Sequence, residues 1–290
     1  MSIDLLLGVS SHHPGRWRLK GDGKPARVYA VYTHTKNEEG SVEIIILGSG
    51  TCIPSLKRGS SGLVLRAGEN TLLFDSGMGT IYRLLKRGIT YLDLDLLLYT
   101  HTHPDHVADF VPLVFACKYG DPPRRRDLPV IGGRGFKNYV QAIQGVYGNW
   151  LQPDLFHIVV REMHEDFLDY GTLRIITKPM NHLPESVGYR LEYAGKSFAL
   201  SGDTEYCSPL VELATDVDIF VVESALPDEM KAKGHLTPSL AGKIAKEARC
   251  RKIVLTHLYP VCDTVDIAQQ CRKEYDGEIV IAEDLMEISV

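Results

Sequence analysis

The chain has 290 residues, 44% hydrophobic and 24% charged, the balance of a folded globular protein rather than a disordered one. Its formal net charge of -5 provides no overall field toward nucleic acid or an anionic membrane, so a polyanionic substrate must be held by local groups. No apolar run approaches the roughly 20 residues of a membrane span, and the six cysteines lack C-x-x-C spacing, which fits reduced thiols in a cytoplasmic protein.

Residues 1-40 differ from the rest. The segment SHHPGRWRLKGDGKP mixes proline, glycine and charge without periodicity, and RVYAVYTH then alternates as one strand would. The start, MSIDLLLGVSSHH, has a short apolar patch with no basic stretch before it, so no signal peptide is expected. We read 1-40 as an N-terminal extension of unknown role and 41-290 as one domain. From Val42 onward, VEIIILGSG, SGLVLRAG, NTLLFDSG and LDLLLYTH are short apolar runs bounded by turn residues, the pattern of buried strands. MGTIYRLLKRG between them has helical spacing and stops at Gly88. The strands DLPVIGG, FHIVV, GTLRIITKP, SVGYRLEYAGKSFALSGD (with a hairpin at Ala194-Gly195-Lys196), DIFVVES, RKIVLTH and GEIVIAED come after it. Helices are expected over HVADFVPLVFACKY, FKNYVQAIQGVYG, TPSLAGKIAKEA and TVDIAQQCRKEY, the third with Thr237 as N-cap and Pro238 at its first position. Continuous apolar strands interleaved with helices predict an α/β layered fold.

The stretch YTHTHPDH comes after the strand LDLLLYT and leads into a helix, which puts His101, His103, Asp105 and His106 on a loop at a strand's C-terminal end. Alternate residues of an extended loop point the same way, so His101 and His103 can share one ion while Asp105 and His106 face a second. Further ligands are required, and His182, Asp203 and His257 each come directly after an apolar strand.

The HxHxDH motif with later His, Asp and His resembles the metallo-β-lactamase fold superfamily, over Val42 to Val290. The resemblance implies a four-layer αββα sandwich and a hydrolase domain over 41-290. It implies one zinc on His101, His103 and His182, a second on Asp105, His106 and His257, and Asp203 bridging both. Asp75 in LLFDSGMGT matches an aspartate that buttresses the site. Relatives that bind iron for oxygen chemistry carry Glu at the position of His103, so two Zn2+ per chain are expected, with Mn2+, Fe2+ or cobalt accepted where supply favours them.

Within the superfamily, VVESALPDEMKAKGHLTPSLAGKIA is similar to the Glu and His-x-Thr segment of ribonuclease Z-like phosphodiesterases, with Glu223 and His235 in the matching places. LGSGTCIPSLKRGSSGLVL, FDSGMGT and the VGYR after His182 also resemble that branch. The reaction implied is attack on a phosphodiester by a metal-bridged hydroxide, with Asp105 counted among the catalytic residues as well as the metal ligands. His235 acts as general acid to the leaving alkoxide, and Glu223 holds its tautomer. The same scaffold serves hydrolysis of carboxylic or sulfuric esters, thioesters and lactones, for which the Glu223 and His235 pair has no necessary part.

Ribonuclease Z enzymes that process tRNA carry a long flexible arm, often between the positions of His182 and Asp203. Here a strand hairpin fills that interval. The triplet Arg124, Arg125 and Arg126 in DPPRRRDLP could contact phosphates but reads as a solvated loop. A small phosphodiester or an RNA 3' end is therefore expected in preference to tRNA. Relatives in the branch are often homodimers, which makes a homodimer the expectation from resemblance. Cys207 reads as a small core residue, His157 and His164 as surface or packing residues, and Tyr259 as a residue that could line the pocket.

Overall fold

The computed structural model of the chain describes residues 40–290. The strand read over RVYAVYTH and the extension ending at residue 40 therefore lie outside the described residues, apart from Gly40.

Two seven-stranded sheets pack face to face. The first contains β1 (Val42–Gly48), β2 (Gly62–Ala67), β3 (Asn70–Phe74), β4 (Leu96–Leu98), β5 (Leu128–Gly132) and β6 (Ile158–Glu162), with β14 (Glu287–Ser289) beyond β1. The second contains β7 (Asp166–Tyr170), β8 (Leu173–Pro179), β9 (Val187–Tyr193), β10 (Lys196–Leu200), β11 (Ile219–Glu223), β12 (Lys252–Thr256) and β13 (Glu278–Ile281) in chain order. Each sheet begins with antiparallel pairs and continues as a parallel run, β3 to β6 in one and β10 to β13 in the other.

The apolar runs are continuous because both faces of each sheet are covered. In β1, Ile44 and Ile46 enter the layer between the sheets, where they meet Phe74, Val187, Tyr189 and Phe198. Ile45 and Leu47 point to the other face, under α1 (Thr80–Lys86), α3 (Phe110–Tyr119) and α4 (Phe136–Tyr147). On the second sheet Phe220 and Val222 pack beneath α5 (Ser208–Ala214), α6 (Pro238–Glu247) and α7 (Ile267–Arg272). The architecture is the four-layer αββα sandwich expected.

Some boundaries differ from the sequence reading. The helix expected over HVADFVPLVFACKY is two, α2 (Pro104–Val107) and α3. Pro112 in the interior of one long helix would clash with the preceding turn, whereas in the first turn of α3 its missing N–H costs nothing. α7 begins after Asp266, whose carboxylate accepts from Gln269 N at 2.8 Å, so TVDIAQQCRKEY is only half helical. The sequence reading missed β7, α5 and β14. β7 is an edge strand with an exposed charged face, and β14 has only three residues. The hairpin at Ala194 and Gly195 is as read, with both residues at positive φ, 48° and 77°. The arginine triplet is not a solvated loop throughout. Arg124 is fully buried and donates to the carbonyls of Tyr91, Leu94, Arg126 and Asp127, which tie the loop before β5 to the approach of β4. Arg126 binds Asp95 and the carbonyls of Leu92 and Leu94, leaving Arg125 exposed.

Candidate metal centre

The C-terminal ends of the parallel strands meet at one edge of the sandwich together with that of β8, and the segments beyond them carry the polar groups. The loop after β3 brings Asp75, and that after β4, with α2 directly behind it, brings Thr100 to His106. The loops after β8, β10 and β12 bring His182, Asp203 and His257, while β11 ends at Glu223 and the segment after it brings His235. Two of these turns need a left-handed backbone at a non-glycine residue: Asp75 has φ 52° and His257 has φ 56°. Such strain persists only where surrounding bonds over-determine it. Around Asp75 they do. Its N–H donates to Leu98 O at 2.8 Å, and its carboxylate accepts from Thr100 N at 2.8 Å and Thr100 Oγ1 at 2.9 Å while lying 2.7 Å from His106 Nδ1.

All seven ligand candidates converge, although they span positions 101 to 257. His101, His103, His182 and Asp203 form one group with donor atoms within 4.8 Å of one another, and Asp105, His106 and His257 form another. Asp203 lies between them. Its Oδ2 is 3.6 Å from His101 Nε2, 3.9 Å from His182 Nε2 and 3.3 Å from His257 Nε2, and its Oδ1 is 3.4 Å from His106 Nε2. Asp105 Oδ2 lies 3.3 Å from His257 Nε2 and accepts from Cys52 N at 3.0 Å. His103 Nδ1 and His182 Nε2 approach to 3.1 Å.

The donor set fits divalent cations. His101 Nε2, His106 Nε2 and Asp203 Oδ1 are buried and have no hydrogen-bond partner, which is costly unless something else satisfies them. The opposite nitrogens are occupied: His106 Nδ1 by Asp75, His101 Nδ1 by Thr100 Oγ1 at 3.0 Å, and His182 Nδ1 by Gly234 O at 2.9 Å. Holding one ring nitrogen turns the other inward, the usual support of a metal-binding imidazole. Burial pushes the Asp203 carboxyl up, yet His257, His106 and His101 together hold it well below the ordinary carboxylate range. Burial pushes His101 well below its ordinary value, favouring the neutral imidazole a cation needs.

Beside this cluster, Glu223 is buried at the end of β11 and His235 is half-buried. His235 Nδ1 lies 3.0 Å from Glu223 Oε1, which also accepts from Thr204 N at 2.8 Å, and Glu223 Oε2 accepts from Ala225 N at 3.2 Å. The His235 ring stacks on His257 with centroids 5.5 Å apart and planes at 14°. Burial opposes protonation of His235, but the bond and charge of Glu223 outweigh it and push the ring up to about 8.

The sequence reading missed Thr100 and Gly234 as supports of the imidazoles. Thr100 had a faint signal, a polar residue ending an apolar strand. The Gly234 carbonyl had none, because a backbone acceptor leaves no mark on residue identity. Cys207, His157 and His164 stand apart from the cluster. Cys207 precedes α5 with Sγ 3.7 Å from Thr204 Oγ1, exposed His157 pairs with Asp127, and His164 is partly buried.

The model of the metallo-beta-lactamase superfamily matches residues 56–257, and the chain belongs to that superfamily. Its class of chemistry is metal-dependent hydrolysis, and several of its relatives are ribonuclease Z enzymes. The uncharacterized protein Rv1339 of Mycobacterium tuberculosis is 30% identical over 257 residues, 86% of this chain and 93% of that protein. A ribonuclease Z of Mycobacterium sp. (strain KMS) is 27% identical over 274 residues, covering 86% of this chain and 96% of its own length. Among solved structures, the metallo-beta-lactamase fold protein YhfI of Bacillus subtilis superposes with a TM-score of 0.77 at 22% identity, over 86% of this chain and 100% of that one. No helix among the described residues is long and apolar enough to cross a membrane.

Proposed function

We propose that this protein is a dinuclear zinc phosphodiesterase acting on a small phosphodiester or an RNA 3' end. In this reading His101, His103 and His182 hold one ion, Asp105, His106 and His257 the other, and Asp203 is shared. Two bound divalent ions would supply Lewis acidity and an acidified water as nucleophile. The chain's own groups do the rest. Asp75, Thr100 and the Gly234 carbonyl fix the imidazole orientations. Glu223, itself held by two backbone N–H groups, keeps the His235 Nδ1 proton and so aims Nε2 outward. From there His235 donates a proton to the departing alkoxide oxygen.

The observation that carries this reading is the Glu223 and His235 pair beside the ligand cluster. Ester or thioester hydrolysis does not require it, whereas a phosphodiester with a basic leaving group does. A ribonuclease Z among the relatives supports the same reaction class. The interval between His182 and Asp203 is taken up by β9 and β10, which favours a small diester or RNA end over the body of a tRNA.

One observation favours a second reading of His235. Its ring also offers a donor atom within 4.8 Å of those of Asp203 and His257, so it could serve as a ligand. One experiment separates the two. Zinc-loaded wild type and His235→Ala are compared on bis(p-nitrophenyl) phosphate, on a diester with an alkyl leaving group and on p-nitrophenyl acetate, with zinc content measured for both. The expected result is hydrolysis of both diesters by wild type. In His235→Ala we expect two zincs retained and a loss on the alkyl diester of about 100-fold or more. Loss of zinc from the variant would make His235 a ligand, and turnover of the acetate alone would replace the phosphodiesterase reading with an esterase.

A further inference from the structure

Tyr259 is held against the candidate centre by backbone bonds from two loops. Leu258 N donates to Ser49 O at 2.9 Å and Tyr259 N to Ala225 O at 3.0 Å. Pro260 and the short turn of helix over Pro260–Thr264 stiffen the chain on its C-terminal side, with Cys262 N returning to Tyr259 O at 2.9 Å. The backbone that carries the phenol ring is therefore fixed by the fold. Its centroid is 6.4 Å from that of His235 and 6.4 Å from that of His257, at 77° and 75°, so it stands across the edge of the stacked imidazole pair.

The hydroxyls of the buried tyrosines Tyr189 and Tyr275 are matched with protein acceptors. Tyr189 donates to Tyr99 O at 2.7 Å and Tyr275 to Cys250 O at 2.8 Å. The Tyr259 hydroxyl, half-buried, has no hydrogen-bond partner among the described residues. A phenol fixed beside both a ligand candidate and the proposed acid, with its donor uncommitted, suits an oxygen of a bound substrate anion.

We propose that Tyr259 is a further substrate-contacting residue that donates its phenolic O–H to a non-bridging oxygen of the phosphodiester. The assignment rests on the phosphodiesterase reading above and adds a contact that acts on the phosphoryl group itself. Charge on those oxygens must be matched during displacement, and a donor already fixed in place needs no reorganisation to do so. A carboxylic ester has a single carbonyl oxygen in place of two non-bridging oxygens, so this donor would help the chain choose phosphoryl over acyl substrates.

The test is Tyr259→Phe, which removes one oxygen and keeps the ring. Zinc content and Tm are measured first and are expected to match wild type. Rates are then compared on bis(p-nitrophenyl) phosphate and on an alkyl-leaving-group diester, and binding of inorganic phosphate to the zinc-loaded proteins is measured by calorimetry. A contact to a non-bridging oxygen predicts a loss in kcat/KM of roughly 10- to 100-fold, equal on both diesters, together with weaker phosphate binding. A loss that grows with the basicity of the leaving group, as expected for His235→Ala, would move the hydroxyl to the leaving oxygen and overturn the assignment. No loss of rate with unchanged phosphate affinity would overturn it as well. If wild type hydrolyses neither diester, the phosphodiesterase reading fails on its own. The calorimetry still decides for Tyr259: weaker phosphate binding supports the anion contact and equal binding rejects it.

Discussion

Asp75 shows how much one residue outside the ligand set can determine. Its carboxylate serves the N–H and hydroxyl of Thr100 and the Nδ1 of His106, and Thr100 in turn reaches His101. Two ligand candidates therefore depend on one side chain held at positive φ. Replacing it with Ala should leave the strands intact and loosen both imidazoles, lowering zinc affinity about 10- to 100-fold, as loss of such supports generally does. Competition with a chromophoric chelator would measure this, and unchanged affinity would mean that Asp75 supports the loop and not the metal. The HxHxDH ligand candidates were legible in the sequence because donor side chains crowd into six positions after an apolar strand. Asp75 was legible only by resemblance, since a lone aspartate in a turn has no chemical signature. Tyr259 was read as a residue that could line the pocket, but its ring geometry was not legible, because it depends on the loops that contain Ser49 and Ala225.

Among the elements, α6 comes directly after the segment that presents His235, and its first turn is where that segment is anchored. Thr237 and Pro238 stand at the N-cap and first position as the sequence suggests, yet the Thr237 side chain does not cap the helix. Asp228 does so from outside, accepting from Ser239 N at 3.1 Å and Ser239 Oγ at 2.5 Å while pairing with Lys273 of the chain after α7 at 3.1 Å. A cap supplied by a residue ten or more positions away cannot be found from local pattern. Burial pushes the Asp228 carboxyl up, but the bonds from Ser239 and Lys273 outweigh it and hold it below the ordinary carboxylate range. A carboxyl so lowered contributes stability that is complete above its unfolded value of 3.8 and is lost as pH falls through the lower folded value. Asp228→Ala should therefore cost about 1 kcal/mol at neutral pH, the ordinary worth of a helix cap with a modest contribution from the partly exposed ion pair. In a domain of this size that is a fall in Tm of roughly 2–4 °C. The gap between wild type and variant should close as pH falls below 4. A gap that persists there would mean that lost packing, not the ionised cap, explains the defect.

In the whole molecule, the ligand candidates divide between the two sheets. His101 and His103 come from the loop after β4 in the first and Asp105 and His106 from α2 directly behind it, while His182, Asp203 and His257 come from loops of the second. Each sheet repeats the same plan of antiparallel pairs and then a parallel run, and each sends its parallel strand ends to this edge. The chain shows no repeat in its residues. Topology is set by which strands pair, and many sequences with the same burial pattern satisfy it, so the strands and layers were legible while the duplicated plan was not. A cation that joins ligands from both sheets binds the folded protein and finds no assembled site in the unfolded chain, so it must stabilise the fold as a whole. At free zinc about a thousandfold above the dissociation constant the gain is roughly 4 kcal/mol, or an increase in Tm on the order of 10 °C for a domain of this size. Scanning calorimetry of zinc-loaded and chelator-treated protein should show that difference, and Asp203→Asn should remove most of it by weakening the one carboxylate that faces both groups. His235→Ala, outside the proposed ligand set, should keep the full zinc-dependent increase. If His235→Ala also loses it, His235 belongs with the ligands, and the general-acid role would have to pass to another residue.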